Sequence, residues 1–192
     1  MASSRSMGKV CFVDVETTGL NPHCEEIIEI ALTLAMYDRS TGAITAKLNQ
    51  YAGLREPSVP IHRSATRIHG LKKSMLKGQC LDDESVLTLL AQADFFVAHN
   101  APFDRGFLSK LYPQAAAKPW LCSMRGINWR AYGFPGRSLP TLLECHKISI
   151  PQTHRAEADV QGVIALLSHT SPGGKPYFYH LLQTLETLSQ PV

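Results

Sequence analysis

Three strand-like runs open this chain before any helical pattern appears, and from then on strands and helices alternate. Nothing else in the sequence constrains the fold as tightly. The first run, Lys9 to Leu20, is rich in β-branched and aromatic residues and closes in a Thr-Thr-Gly turn. Glu25 to Tyr37 reads as a second strand through Ile27, Ile28, Ile30, Leu32 and Leu34. A Ser-Thr-Gly turn at Ser40 to Gly42 leads to a third, Ala43 to Tyr51, and two strands joined by so short a turn make a hairpin. Further strands are expected at Asp94 to Ala98 and Trp120 to Met124. Helices are expected over Ile61 to His69, residues 82 to 92, Pro102 to Leu111, Leu139 to His146, Arg155 to Ser168 and Tyr177 to Leu188. A hairpin followed by alternating elements predicts an α/β fold with a mixed sheet.

A chain of 192 residues fits one domain with a sizeable core, and 44% hydrophobic with 18% charged residues excludes a disordered chain. No apolar run approaches the roughly 20 residues of a membrane span. The five cysteines are odd in number and form no CxxC pair, which argues against a disulfide scaffold or zinc site and for a reducing compartment. The first seven residues lack an apolar signal core and are expected to be a flexible extension, so the protein is expected in the cytoplasm, away from membranes. A net charge of +3 permits a locally basic groove beside an acidic site.

Asp14 and Glu16 end the first strand one position apart, so both carboxylates leave the sheet on the same face. Carboxylates held that close repel each other, and one takes up a proton unless a cation is present. Oxygen-only ligands suit Mg²⁺ or Mn²⁺ and not Zn²⁺. Asp104 stands near the start of a helix after the fourth strand, at the edge where open α/β sheets place ligands, and Asp159 begins the body of a later helix. Asp14, Glu16 and Asp159 can form one hard cation site and Asp104 can help hold a second, the two-metal arrangement of in-line phosphoryl transfer. His154 suits the general base at neutral pH. Phe107 reads as core and Phe103 as groove. The basic residues Arg63, Arg67, Lys72, Lys73 and Lys77 cluster between the third and fourth strands.

At these residues the chain resembles the DEDDh, or DnaQ-like, 3′→5′ exonucleases, the family of the proofreading epsilon subunit of bacterial DNA polymerase III. Phe12 to Leu20, His99 to Asp104 and His154 to Asp159 match its three motifs, and Arg67 to Leu71 and Arg137 to Leu143 match two supporting segments. The resemblance implies a ribonuclease H-like fold with a five-stranded sheet, its first three strands antiparallel and helices flanking it. It implies two Mg²⁺ or Mn²⁺ ions handled by Asp14, Glu16, Asp104 and Asp159, with His154 as base. It also implies a site for the 3′-terminal nucleotide at Thr17, Thr18, Gly19, Leu20, His69, Asn100 and Phe103. No catalytic position departs from the family pattern.

The function expected is release of 5′-mononucleotides from single-stranded or frayed DNA 3′ ends, in proofreading, repair or end processing. The alternatives are an RNA or oligoribonucleotide exonuclease and a polymerase-associated docking subunit. Residues 8 to 170 are expected to form the exonuclease domain, and 171 to 192 a linker and a helix packing on it. Gln183 to Leu188 resembles a sliding-clamp peptide without its terminal aromatic, while its leucines fit an amphipathic helix. So little chain after the catalytic core points to an enzyme acting alone.

Overall fold

The structure is a computed structural model that describes residues 6–151 and 154–188. Residues 1–5 of the expected extension, and the last four of the expected C-terminal segment, lie outside the described residues. Met7, counted with the extension above, is instead the first ladder residue of the first strand, opposite Asp38.

Strands β1 (Met7–Thr17), β2 (Ile27–Asp38) and β3 (Ile44–Leu54) form an antiparallel meander, and β4 (Phe95–Ala98) and β5 (Trp120–Cys122) add in parallel on the other side of β1. The sheet order is β3-β2-β1-β4-β5, so β1 is central. That position explains its composition: a strand buried on both faces needs apolar side chains at successive positions, and Val10, Cys11, Phe12 and Val13 supply them. The meander matches the implied arrangement. β5 ends earlier than expected, because its partner β4 ends at Ala98, opposite Cys122, and Ser123 then turns into a short helix.

Helices α1 (Arg63–His69), α2 (Lys73–Leu76) and α3 (Asp83–Gln92) precede β4, α4 (Ala101–Leu111) joins it to β5, and α5 (Ser123–Gly126), α6 (Leu139–Cys145), α7 (Ala156–Ser168) and α8 (Tyr177–Leu188) follow. They cover both faces of the sheet. Val10 and Phe12 face Leu142, Val163, Leu167 and Phe178 from α6 to α8, whereas Cys11, Val13 and Val15 face Val86, Leu90, Phe107 and Leu108 from α3 and α4. The ring of Phe178 lies 5.3 Å from Tyr37 and 5.9 Å from Phe12, centroid to centroid, so α8 is built into the core. Gly42 makes room for it: with φ of 69°, any side chain there would collide with the Tyr179 backbone.

The period of two along β1 positions the site. Asp14 and Glu16 continue the face of Val10 and Phe12, so both point toward α7.

Candidate active site

Burial and mutual repulsion define the acidic cluster. Asp14 and Glu16 from β1 and Asp159 from the first turns of α7 each offer a carboxylate oxygen, and these three atoms lie within 4.8 Å of one another. Burial, then the negative charges of Asp104, Glu16 and Asp159, raises the pKa of Asp14 well above the carboxylate range. Burial, then Asp159 and Glu29, pushes Glu16 up to about 8. Burial also raises Asp159, against the opposing pull of the His154 charge and backbone. Asp104 is buried on α4, where its Oδ1 accepts the Val15 N–H at 3.2 Å, and burial raises its pKa too. It stands outside the trio but is the charge that acts most strongly on Asp14.

Such a cluster binds protons when nothing else neutralises it, and its donor set of carboxylate oxygens fits a hard divalent ion. The fit has a thermodynamic consequence. Without metal, the stability carried by the Glu16 proton is present below about pH 4.5 and lost as pH rises through about 8. In EDTA the protein should therefore lose melting temperature relative to Glu16→Gln between roughly pH 5 and pH 9. Saturating Mn²⁺ should abolish that relative loss. A wild-type-to-variant difference that stays constant with pH would rule out the repulsive cluster.

Beside the trio opens a cavity of about 630 Å³, lined by Glu16 and Thr17 at the end of β1, by Gly19 and Leu20 after it, by Ala65, Ile68 and His69 on α1, and by Asn100 and Phe103 at the head of α4. Leu20 is 82% exposed at its rim, which removes it from the core. Phe103 lines the cavity with its ring 4.9 Å from that of Phe107, which is buried. A Cβ at Gly19 would come within 2.9 Å of the Glu25 and His62 side chains, so any larger residue there would have to displace them.

Thr18 is the one expected groove residue that the structure keeps out of this cavity. It is fully buried; its hydroxyl donates to Glu25 and accepts the Glu26 N–H at 3.0 Å, and its carbonyl accepts the His62 N–H at 2.8 Å. It ties the turn after β1 to the head of α1. Thr17 borders the cavity, with its hydroxyl donating to the Gly19 carbonyl at 2.6 Å.

Two buried polar atoms in the groove have no hydrogen-bond partner among the described residues, His69 Nε2 and Asn100 Oδ1. His69 Nδ1 accepts the Leu71 N–H at 3.0 Å, and burial lowers its pKa, so the ring is neutral with its proton on Nε2. Both residues line one cavity, and the His69 ring also lies within reach of the Thr17 backbone. Leaving such groups unpaired is unfavourable by about 1–3 kcal/mol each, so the groove is primed for a polar ligand.

His154 lies just before α7 at φ of 60°, a left-handed conformation that non-glycine residues adopt only when the surroundings impose it. Those surroundings include a pair that sequence reasoning missed. The next residue, Arg155, donates from Nε to both oxygens of Glu29 at 3.0 Å and from Nη2 to Oε1 at 2.6 Å. The Ala156 N–H adds a contact to Oε2 at 3.3 Å. Glu29 is buried on β2 opposite Glu16, so the pair pins the start of α7 beside the acidic trio. The signal was present as a lone acid inside the apolar run Ile27-Ile28-Glu29-Ile30.

The model of the RNase T exonuclease family matches residues 11–167. The chain belongs to this exonuclease family. Its DnaQ-like character and ribonuclease H-like fold, both implied by the motifs, are borne out. The PolC-type DNA polymerase III of Thermotoga maritima is 30% identical over 137 residues, 67% of this chain, and that of Listeria innocua 28% over 166 residues, 81% of it. The chain spans only 9% and 11% of those polymerases. Among solved structures, E. coli exonuclease I in a complex with single-stranded DNA superposes at a TM-score of 0.70 with 17% identity, over 95% of this chain and 46% of that one. Exonuclease X in complex with 5′-overhanging duplex DNA superposes at 0.57 with 22% identity, over 88% and 99%. Among the described residues, no helix is long and apolar enough to cross a membrane.

Proposed function

We propose that this chain is a metal-dependent exonuclease that removes 5′-mononucleotides from the 3′ end of DNA. The observation that carries the reading is the junction of the carboxylate trio with a groove whose two buried polar atoms lack partners. The buried acceptor at Asn100 Oδ1, without a partner among the described residues, matches a hydroxyl donor, and a 3′ terminus offers one. Leu20 and Phe103 offer apolar faces that stack on any base, as sequence-independent digestion requires.

In this reading Asp14, Glu16 and Asp159 hold one Mg²⁺ or Mn²⁺ and Asp104 helps hold a second. Bound divalent ions supply Lewis-acid stabilisation of the phosphoryl oxygens and a more acidic water. The His154 ring takes the proton from the attacking water. The Glu29–Arg155 pair keeps His154 and Asp159 in place, and Thr18 holds the turn that carries the groove. DNA is favoured over RNA because the matched relatives are DNA polymerases and two of the structural neighbours hold DNA. That kinship also makes a polymerase the first candidate for a protein partner. Leu185 packs against the core, which leaves less of the Gln183 to Leu188 segment to serve as a clamp peptide.

The test is a gel assay on matched 5′-labelled single-stranded DNA, single-stranded RNA and recessed duplex DNA with Mg²⁺. A ladder shortening from the 3′ end of DNA, stopped by EDTA and restored by Mn²⁺, is the expected result. Shortening of RNA alone would move the enzyme to RNA trimming. Products that begin at the 5′ end would overturn the polarity.

A further inference from the structure

A second cavity, of about 670 Å³, lies beyond the end of β5, and Arg125, Arg130 and Arg137 border it with no acidic residue in its lining. The three arginines come from α5, from the 3₁₀ turn Trp129–Tyr132 and from the loop before α6. All are exposed, and none forms an ion pair or a side-chain hydrogen bond with a described residue. Like-charged guanidiniums gathered around one concavity repel each other, and an anion relieves that repulsion.

His99 joins this cavity to the groove. Burial keeps its ring neutral; Nε2 donates to the Arg137 carbonyl at 2.8 Å, Nδ1 accepts the Ser123 hydroxyl at 2.9 Å, and the His99 carbonyl accepts the Met124 N–H at 3.0 Å. The same residue therefore holds two walls of the basic cavity, and its neighbour Asn100 lines the groove.

We propose that the arginine cavity is a phosphate-binding subsite for the nucleic-acid backbone leading away from the terminal nucleotide. The inference rests on the exonuclease reading above. Guanidinium forks match phosphate oxygens in pairs, so the subsite fits successive phosphodiesters and carries no base preference.

The experiment compares wild type with two triple variants, Arg125→Gln/Arg130→Gln/Arg137→Gln and the corresponding triple lysine protein. The substrates are a 20-nucleotide single-stranded DNA and the p-nitrophenyl ester of thymidine 5′-monophosphate, which carries no phosphate beyond the one cleaved. The glutamine protein should show KM for the DNA raised roughly tenfold, kcat within about twofold, and unchanged ester hydrolysis. Its slope of log affinity against log salt should fall by about 2, from about 0.7 per lost single-strand phosphate contact. The lysine protein should keep most of that slope, because charge persists when the fork is lost. An unchanged KM and slope in the glutamine protein would overturn the proposal. An equal loss on the ester would overturn it too, by making the arginines part of the reaction centre or the fold. Should wild type cleave neither substrate, the exonuclease reading fails by itself. Fluorescence anisotropy of the labelled 20-mer in EDTA then decides the cavity: a reduced salt slope supports it and an unchanged one overturns it. Arginine-dependent binding of an acidic peptide, with DNA binding unaffected, would reassign the cavity to a protein partner.

Discussion

Asp159→Asn should lower turnover on single-stranded DNA by on the order of 10³-fold, since metal stabilisation of transition-state charge supplies several kcal/mol and each 1.36 kcal/mol is a factor of ten. The same variant should be at least as stable as wild type. Asparagine keeps the shape of the side chain and removes one of the three charges gathered within 4.8 Å, so the repulsion on Glu16, whose strongest charged neighbour is Asp159, is relieved. Asp14→Asn should behave alike, because burial and then Asp104 and Glu16 raise its pKa. Loss of activity with a melting temperature held or raised separates a functional cluster from a structural one. Near-wild-type turnover by either protein, measured at saturating Mg²⁺, would remove the trio from the reaction.

Arg155→Ala should destabilise the protein by about 3 kcal/mol, which in a domain of this size lowers the melting temperature by roughly 10 °C. Glu29 loses its guanidinium while its side chain stays 6% exposed, and a buried carboxylate without a partner is what makes breaking such a pair costly. The Ala156 N–H at 3.3 Å is a weak substitute. Two companion measurements test the cause. Arg155→Ala/Glu29→Gln removes the stranded charge and should recover more than half of the lost stability, a coupling that a double-mutant cycle reads directly. Turnover by the single variant at a temperature where it is folded should also fall, because His154 precedes Arg155 and loses its restraint at φ of 60°. If urea titration placed Arg155→Ala within 0.5 kcal/mol of wild type, in the range of about ±0.5 kcal/mol typical of a neutral surface change, the pair would not pin α7.

Most of the sheet was legible before the structure because it is written in local patterns. The apolar runs, the turn at Ser40 to Gly42 and the cap at Gly70 each depend on a few neighbouring residues, and the strands and helices fall within a few positions of their expected ends. The misses share a cause. Met7 joins β1 because Asp38 is there to pair with it, and β5 stops at Cys122 because β4 stops at Ala98. The short helices α2 and α5 follow from how the chain must turn between packed elements, not from periodicity.

The sequence by itself determined that Asp14 and Glu16 share a face, since side-chain direction along a strand alternates wherever the strand lies. It also determined, through the spacing of the last motif, that Asp159 falls in the first turns of a helix preceded by His154. Only the tertiary structure decided that α7 lies across β1 and β2, which brings Asp159 within reach of the pair and Arg155 onto Glu29, 126 positions away in the chain. It decided that Thr18 turns inward to Glu25 while Thr17 borders the groove, and that three arginines from separate segments meet around one cavity. Side-chain direction is a property of a few consecutive dihedrals, whereas these meetings depend on how distant elements pack, and no local pattern encodes that distance.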